Sequence, residues 1–429
     1  MHAKNITPTN TLPGADDITR EVLPNGITVL VRSNFNNPSV VINGYINTGA
    51  IFDPVEKLGL ANFTASMLMR GTDQKNFNQI FEILESSGAS LGFGGNIHTT
   101  SFSGKALIED LPILLGLLFE FLYSPTFPEA YVEKMRAQLL TGLAMRAQDT
   151  AEMASLTFDQ LIFAGHPYSR PEDGYTETIA NITRDDITQY HKINFGPQGM
   201  ILSVVGAIEA NQALDLVKSF FNNWSNPGQP DQPDLGPYSG LSKSVKKKVV
   251  IPGKIQSDIV VGWTAPLRKS PDYMPISLGN SILGQFGMYG RIGEVIREQS
   301  GLAYYAYTRL NSGIGPGSWE VSAGVNPVNV EKTISLIKKE IKRFVTEPVL
   351  TEELKDSQAN YIGRLPLSME SNAGVASALV SLERYQLGLD YYRDYASYVR
   401  VVTPEQILEA AQKYLLPNNT AIAVAGPSL

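Results

Sequence analysis

The feature that most constrains this chain is a weak internal repeat. Four residue pairs are each separated by 220 positions: Thr183 and Thr403, Ile187 and Ile407, Pro197 and Pro417, and Gly206 and Gly426. In each copy a Thr followed by acidic residues indicates the start of a helix, a Pro follows the helix, and an apolar run ends in Gly. Upstream, residues 124–129 are similar to residues 347–352 at nearly the same offset. Collinear matches at a nearly constant offset predict a chain built from two homologous halves.

The segment between the two copies is rich in residues that break regular structure. Ser225 to Gly240 contains four Pro and three Gly, which is typical of a linker. We therefore expect an N-terminal tail over 1–17, an N-terminal half over 18–224, a linker over 225–240 and a C-terminal half over 241–429. A length of 429 residues also favours two domains over one.

Both halves open with strand patterns and continue with helical ones. Pro24-Asn25-Gly26 separates two short apolar segments and predicts a β-hairpin. Three further strands are predicted, over 40–46 in the first half and over 248–251 and 258–263 in the second. Apolar residues spaced three or four apart over 330–344 predict an amphipathic helix. Strands and helices that do not alternate strictly indicate an α+β fold, in which each half is a sheet covered by helices.

Composition excludes several classes of function. The net charge of −7 is unsuited to nucleic acid, and the absence of cysteine excludes disulfides, thiolate nucleophiles and Cys-type zinc sites. The short basic run Lys246-Lys247-Lys248 is interpreted as a solvated strand edge. The N-terminus carries no pattern of a signal peptide, and the apolar run 111–123 is too short to span a membrane. We therefore expect a buried helix over 111–123 and a cytoplasmic protein.

Residues 59–72 carry the first motif. This segment, GLANFTASMLMRGT, resembles the active-site helix of the pitrilysin, insulin-degrading enzyme and mitochondrial processing peptidase family. That family has the inverted zinc motif His-x-x-Glu-His, in which two imidazoles bind Zn²⁺ and the Glu activates the bound water. The matching positions are Asn62, Ala65 and Ser66, and the family's third ligand, a Glu, falls on Gly142. The resemblance therefore implies that this chain has lost zinc hydrolysis.

Residues 290–304 carry the second motif. In the same family the C-terminal half supplies an Arg and a Tyr seven residues apart, which hold the substrate backbone and polarise the scissile carbonyl. Arg297 and Tyr304 match in type and spacing, with Gly301-Leu302 between them, and both side chains donate hydrogen bonds suited to a developing oxyanion. Arg291 is read either as an assisting residue or as a packing residue.

A glycine-rich segment and the histidines are further candidates. Gly284, Gly287 and Gly290 suggest either a substrate-guiding loop, as in the family's non-catalytic processing subunit, or a glycine-rich junction before a helix. The four histidines, at positions 2, 98, 166 and 191, have no helical ligand spacing. An active metalloenzyme with other ligands would need a cluster of donors that the sequence does not offer.

Since the resemblance spans essentially the whole chain, it implies a complete architecture and a function. The fold would be two homologous α/β-roll halves, each a mixed, largely antiparallel sheet covered by helices, arranged as a clamshell. The chain would be the non-catalytic, substrate-binding subunit of a heterodimeric zinc metalloendopeptidase. It would have no cofactor of its own, and its homologous partner would carry the zinc. The alternative is a catalytically inert scaffold or peptide-binding protein, possibly a homodimer, like the members found in respiratory complexes.

Overall fold

The computed structural model describes residues 12–236, 238–285 and 290–428. Two sheets organise this part of the chain. The first has the strand order β1-β2-β6-β3-β5-β4, and only the β2–β6 pair is parallel. Its strands are β1 Thr19–Val22, β2 Thr28–Ser33, β3 Ser39–Ile46, β4 Ser90–Gly95, β5 Thr100–Leu107 and β6 Ile201–Gly206.

The second sheet repeats this arrangement with one strand fewer. Its order is β7-β11-β8-β10-β9, and again only one pair, β7–β11, is parallel. Its strands are β7 Val245–Val250, β8 Ser257–Ala265, β9 Ala303–Asn311, β10 Gly317–Val325 and β11 Ala421–Gly426. The predicted fold class, two mixed and largely antiparallel sheets covered by helices, is confirmed.

Helices cover these sheets and connect their strands. The helices of the first copy of the repeat are α1 Leu60–Met67, α2 Phe77–Ser86, α3 Leu111–Tyr123, α4 Glu129–Arg146, α5 Thr150–Ile162, α6 Thr176–Asn181, α7 Arg184–Asn194 and α8 Ala210–Phe221. Those of the second copy are α9 Tyr273–Asn280, α10 Arg291–Gly293, α11 Val330–Phe344, α12 Thr351–Ser368, α13 Asn372–Tyr385, α14 Tyr391–Arg400 and α15 Pro404–Tyr414. A π-helical turn over Glu294–Glu298 continues α10.

The local signals that predicted the repeat have the expected structures. Thr183 and Thr403 each accept a hydrogen bond from the third backbone N–H of the helix that follows, and each forms a capping box. Gly26 has φ +91° in the hairpin that joins β1 to β2, a conformation that glycine adopts without strain. These caps and this turn fix where α7, α15 and the first hairpin begin.

The chain forms two compact units, and each of them is discontinuous in sequence. One comprises Met1–Leu143, Pro171–Asp234 and Leu365–Asp394, and the other comprises Ala144–Arg170, Leu235–Arg364 and Tyr395–Leu429. These units differ from the expected contiguous halves at 18–224 and 241–429. Residues 144–170 of the first half belong to the second unit, and residues 365–394 of the second half belong to the first unit.

Each exchanged segment contains one complete helix, α5 or α13, and these two helices occupy equivalent places in the repeat. Helix α13, from the second copy, packs on β3 and β6 of the first sheet, and α5, from the first copy, packs on β8 and β11 of the second. Successive strand residues face opposite sides of a sheet. In the first sheet Leu30 and Val41 therefore contact the core under α13, whereas Val29 and Val31 face the larger core on the other side.

Three further predictions can be compared with the structure. Helix α3 is buried along most of its length, as expected for residues 111–123. The lysines at 246–248 are exposed on β7, an edge strand, which confirms the interpretation of this run. Within the described residues, no helix combines the length and the apolar character needed to cross a membrane.

The Pro/Gly-rich segment forms no helix or strand among its described residues, but its first part is fixed to the first unit. The amide group of Asn226 donates to the carbonyl oxygens of Lys192, Ile193 and Phe195 at 2.9–3.2 Å. That of Gln232 donates to the carbonyl oxygens of Asn47 and His98 at 3.0 and 2.9 Å. Side-chain amides therefore supply the contacts that the backbone of such a segment lacks.

Candidate functional site

The positions predicted to correspond to the zinc motif lie on helix α1. Asn62 and Ser66 are one helical turn apart and half-buried, and the methyl group of Ala65 is buried. The Ser66 hydroxyl donates to the carbonyl oxygen of Asn62 at 2.9 Å, so its proton is already used inside the helix. An amide, a methyl group and an internally bonded hydroxyl offer none of the imidazole or carboxylate ligands that zinc requires.

The position predicted for the family's third ligand, Gly142, offers no side chain that could bind a metal. Gly142 lies in the last full turn of α4 and is exposed. A Cβ atom placed on it would meet no atom within 4 Å, so glycine is not required there for packing. Among the residues that the structure describes, no three His, Asp or Glu side chains are grouped so that they could hold a metal ion. The residues at these positions do not fit zinc.

A buried carboxylate that the sequence analysis missed holds α1 in place. Asp53 accepts hydrogen bonds from the backbone N–H groups of Gly59 at 2.8 Å and Ala61 at 2.9 Å, which are unpaired donors at the start of the helix. Its side chain is buried, and burial raises its pKa to about 7 although the N–H groups act in the opposite direction. The only sequence signal was an acidic residue shortly before an apolar helix.

Strand β4 passes unusually close to the motif helix. A Cβ atom at Gly95 would lie 2.8 Å from the Cα of Asn62 and 3.3 Å from its backbone nitrogen. Only glycine therefore permits this approach of strand to helix. Beside the contact, a groove of about 280 Å³ runs along Ala65 and Ser66.

The described histidines are apart from one another and serve the local structure. His98 is buried and its Nδ1 lies 3.2 Å from Oε1 of Gln232. His166 is buried and its Nδ1 accepts from the N–H of Tyr168 at 3.2 Å. Nε2 of His191 lies 3.0 Å from the carbonyl oxygen of Leu122, and burial lowers the pKa of this imidazole to about 4.

In the second unit, Arg297 lies at the end of the π-helical turn that follows α10. Its side chain is 38% exposed, and its Nε lies 3.6 Å from the carboxylate of Glu298. Two backbone hydrogen bonds of 3.0 Å close the turn: the N–H of Gly301 donates to the carbonyl oxygen of Arg297, and the N–H of Leu302 donates to the carbonyl oxygen of Ile296. Gly301 has φ +63°. Glycine at this position lets the chain turn directly into β9.

Tyr304 lies at an irregularity of β9. In the pairing of β9 with β10, Gly324 is opposite Tyr305 while Val325 is opposite Ala303, so Tyr304 is the extra residue of a β-bulge. A bulge re-aims a side chain out of the regular alternation of the strand. Tyr304 is 71% exposed and lies on β9, the edge strand of the second sheet.

The neighbouring candidates have structural explanations. Arg291 is buried and forms a bidentate ion pair with Glu353 at 2.8 and 2.6 Å, with Glu340 at 3.8 Å. The structure therefore supports the interpretation of Arg291 as a packing residue. A Cβ atom at Gly290 would lie 2.2 Å from the Cα of Gly284, so these glycines allow two backbone segments to meet. Gly287 lies outside the described residues.

Comparisons with known proteins agree with this architecture. Residues 28–171 match the model for insulinase, peptidase family M16, and residues 181–361 match that for the peptidase M16 inactive domain. A protein named uncharacterized zinc protease, from Streptomyces coelicolor, is 20% identical over 96% of this chain and 90% of its own length. A non-peptidase homolog, YmxG of Helicobacter pylori, is 23% identical over 93% of this chain and 91% of its own.

Two further comparisons extend the same relationship. Subunit 1 of the mitochondrial cytochrome b-c1 complex from Rattus norvegicus is 24% identical over 62% of this chain and 55% of its own. A crystal structure of a peptidase M16 inactive domain from Pseudomonas fluorescens superposes with a TM-score of 0.88 at 23% identity, covering 96% of this chain and 98% of that one. The chain belongs to peptidase family M16, the insulinase family.

Proposed function

We propose that this chain is the non-catalytic, substrate-binding subunit of a heterodimeric zinc metalloendopeptidase. A homologous partner would carry His-x-x-Glu-His and the zinc ion, and this chain would contribute Arg297 and Tyr304 to the partner's site. Its own motif positions, Asn62, Ala65, Ser66 and Gly142, offer no ligand set for zinc. Membership of M16 and the relationship to a non-peptidase homolog support the same proposal.

The observation that carries the proposal is the state of Tyr304. A tyrosine that is 71% exposed at a β-bulge contributes little to the stability of its own unit, because most of its ring remains in water. Seven residues earlier, the half-exposed side chain of Arg297 has, among the described residues, one long ionic contact, with Glu298 at 3.6 Å. Both groups therefore remain able to donate hydrogen bonds to a peptide carbonyl that gains negative charge.

Reconstitution of the pair tests the proposal. The chain would be purified alone and with a homologous His-x-x-Glu-His chain from the same genome, and hydrolysis of unfolded peptides would be measured. We expect no hydrolysis by this chain alone and activity from the pair. Tyr304→Phe or Arg297→Ala should lower the turnover of the pair about 100-fold, the usual cost of removing a donor to a developing oxyanion.

Matched controls separate this effect from general damage to the protein. Tyr123 is 55% exposed on α3 and Arg400 is exposed at the end of α14, so Tyr123→Phe and Arg400→Ala make the same chemical changes elsewhere. These controls should leave turnover unchanged. A pair that keeps full turnover with Tyr304→Phe and Arg297→Ala together would contradict the proposed role.

The relationship to subunit 1 of the cytochrome b-c1 complex favours a second candidate, a catalytically inert scaffold or peptide-binding protein. Sedimentation analysis with and without the zinc-bearing homologue distinguishes the two. A stable homodimer that ignores the homologue would favour the scaffold, whereas a one-to-one complex would favour the proposed subunit.

A further inference from the structure

Lysines are concentrated on one solvent-facing surface of the second unit. Six of them form this lysine surface: Lys246 and Lys248 on β7, and Lys332, Lys338, Lys339 and Lys342 on α11. All six are exposed. The chain as a whole has a net charge of −7, so this surface is a region of positive charge on an acidic protein.

Helix α11 places its four lysines on the face that points away from the sheet. Buried residues such as Ile334 and Ile337 belong to the core of the second unit, and the exposed residues lie on the opposite side of the helix. Lys342 lies one turn after both Lys338 and Lys339, and at 1.5 Å per residue the four lysines span about 15 Å. They therefore form a stripe along the helix.

The lysines of β7 join this stripe at its first turn. Lys246 forms an ion pair with Glu331 at 2.5 Å, which brings its ammonium group to the start of α11. Lys248 follows two residues later on the same face of the strand. The β11 partners of these two lysines, Ile422 and Val424, belong to the core that α11 covers. Strand and helix thus contribute to one continuous surface.

Most charges of the lysine surface have no counter-ion. Lys246 is the only one of the six within 4.0 Å of a carboxylate oxygen of a described residue. Lys338 and Lys339 each have a like charge one turn later at Lys342, a spacing that destabilises a helix slightly. The helix dipole favours cations in the last turn but disfavours Lys332 in the first. The stability of the helix therefore does not explain this arrangement.

The residue types of the lysine surface indicate a diffuse anionic surface as its partner. Lysine carries a compact charge on a flexible stem, whereas a single carboxylate or phosphate is better recognised by the planar fork of arginine. Lysine is depleted in protein–protein interfaces, and single-stranded nucleic acid is bound by stacking on aromatic side chains. The exposed positions of α11 hold Glu, Lys, Ser and Arg and no aromatic residue. A lysine cluster on an amphipathic helix is typical of proteins that bind anionic lipid headgroups.

We propose that the lysine surface docks the second unit on an anionic lipid bilayer. The six ammonium groups approach the lipid phosphates, α11 lies parallel to the membrane, and no segment enters the hydrocarbon region. Charges elsewhere on the acidic chain are screened beyond about 10 Å at 0.1 M salt, so the local positive charge determines this contact. The surface includes neither Arg297 nor Tyr304, so its test is independent of the proposed function.

Co-sedimentation of the full chain with lipid vesicles tests the proposal. Vesicles of phosphatidylcholine alone are compared with vesicles of equal parts phosphatidylcholine and phosphatidylglycerol. Each lysine near an anionic surface strengthens binding about 5-fold, so half of the protein should be bound at ~0.1 mM anionic lipid in low salt. We expect no binding to the neutral vesicles. Binding to the anionic ones should vanish in about 1 M salt, where the screening length is about 3 Å.

A triple variant of α11 and a matched control assign the binding to this surface. Lys338→Gln, Lys339→Gln and Lys342→Gln together should weaken binding to anionic vesicles about 100-fold. The control makes the same change at three exposed lysines of the first unit: Lys105, Lys134 and Lys192. It changes the net charge equally and should leave binding nearly unchanged. Because all these side chains are exposed, both variants should unfold in urea like the original protein.

Strand β7 gives a finer test of which face meets the membrane. Lys248→Gln should weaken binding about 5-fold. The β11 partner of Lys247, Ala423, faces the core on the other side of the sheet, so Lys247→Gln should have little effect. No binding to anionic vesicles, equal binding to neutral vesicles, an equal loss in the two triple variants, or an equal loss in the two β7 variants would each overturn the proposal.

Discussion

The close approach of β4 to α1 gives the sharpest stability prediction. In Gly95→Ala the new methyl carbon would lie 2.8 Å from the Cα of Asn62 and 3.3 Å from its Cβ and backbone nitrogen. Non-bonded carbon atoms prefer about 3.5–4.0 Å, so the strand would have to move by roughly 0.7 Å or more. The atoms that the new methyl group would contact belong mainly to the backbone of α1, and the hydrogen bonds of Asp53 hold the start of that helix in place. Overpacking of this kind typically costs about 1–3 kcal/mol.

The same strand supplies the matched control. At Gly92 a Cβ atom would meet nothing, so Gly92→Ala should change the free energy of unfolding by less than about 0.5 kcal/mol. Urea unfolding would measure both variants, and hydrogen exchange over 60–67 would locate the loss of stability in α1. If Gly95→Ala were as stable as Gly92→Ala and α1 exchanged normally, the described packing of β4 against the motif helix would be refuted.

Two further predictions concern buried charges. The pKa of Asp53 is raised from 3.8 to about 7 in the folded state. Between these two pH values the folded state therefore binds more protons than the unfolded state. The free energy of unfolding should fall as the pH rises from about 4 to 7, by at most about 4 kcal/mol. Asp53→Asn keeps a hydrogen-bond acceptor but cannot titrate, so its free energy of unfolding should vary less with pH over this window. An identical pH dependence in both proteins would contradict the burial of Asp53. Arg291→Ala would leave the carboxylates of Glu353 and Glu340 without their buried partner, and urea unfolding should show a loss of about 3 kcal/mol or more. A neutral result would exclude the structural role of Arg291.

The repeat in the sequence was sufficient to predict two homologous sheets, because its markers are local. A Thr cap, a Pro after a helix and a Gly after a strand act through their immediate neighbours, and Thr183 and Thr403 cap their helices as expected. The exchange of α5 and α13 could not be predicted in this way. An apolar helix face indicates that the helix is buried, but two sheets of similar composition are both possible partners for it.

The sequence could name candidate site residues, but it could not give the geometry around them. The segment around Asn62 and Ser66 carried the resemblance, yet the approach of Gly95 depends on how β4 is placed against α1. The bulge at Tyr304 depends on the register of β9 against β10, which two separate strands determine together. Asp53 was missed because its hydrogen bonds reach forward by six and eight residues, beyond the range of a standard helix cap.

Zinc analysis of the purified chain tests the central claim most directly. The chain would be prepared without an affinity tag, dialysed against zinc and then against zinc-free buffer, and its metal content measured by mass spectrometry. Helix α1 offers an amide, a methyl group and an internally bonded hydroxyl, so we predict far less than one zinc ion per chain. One tightly held zinc ion per chain, resistant to dialysis, would contradict the account.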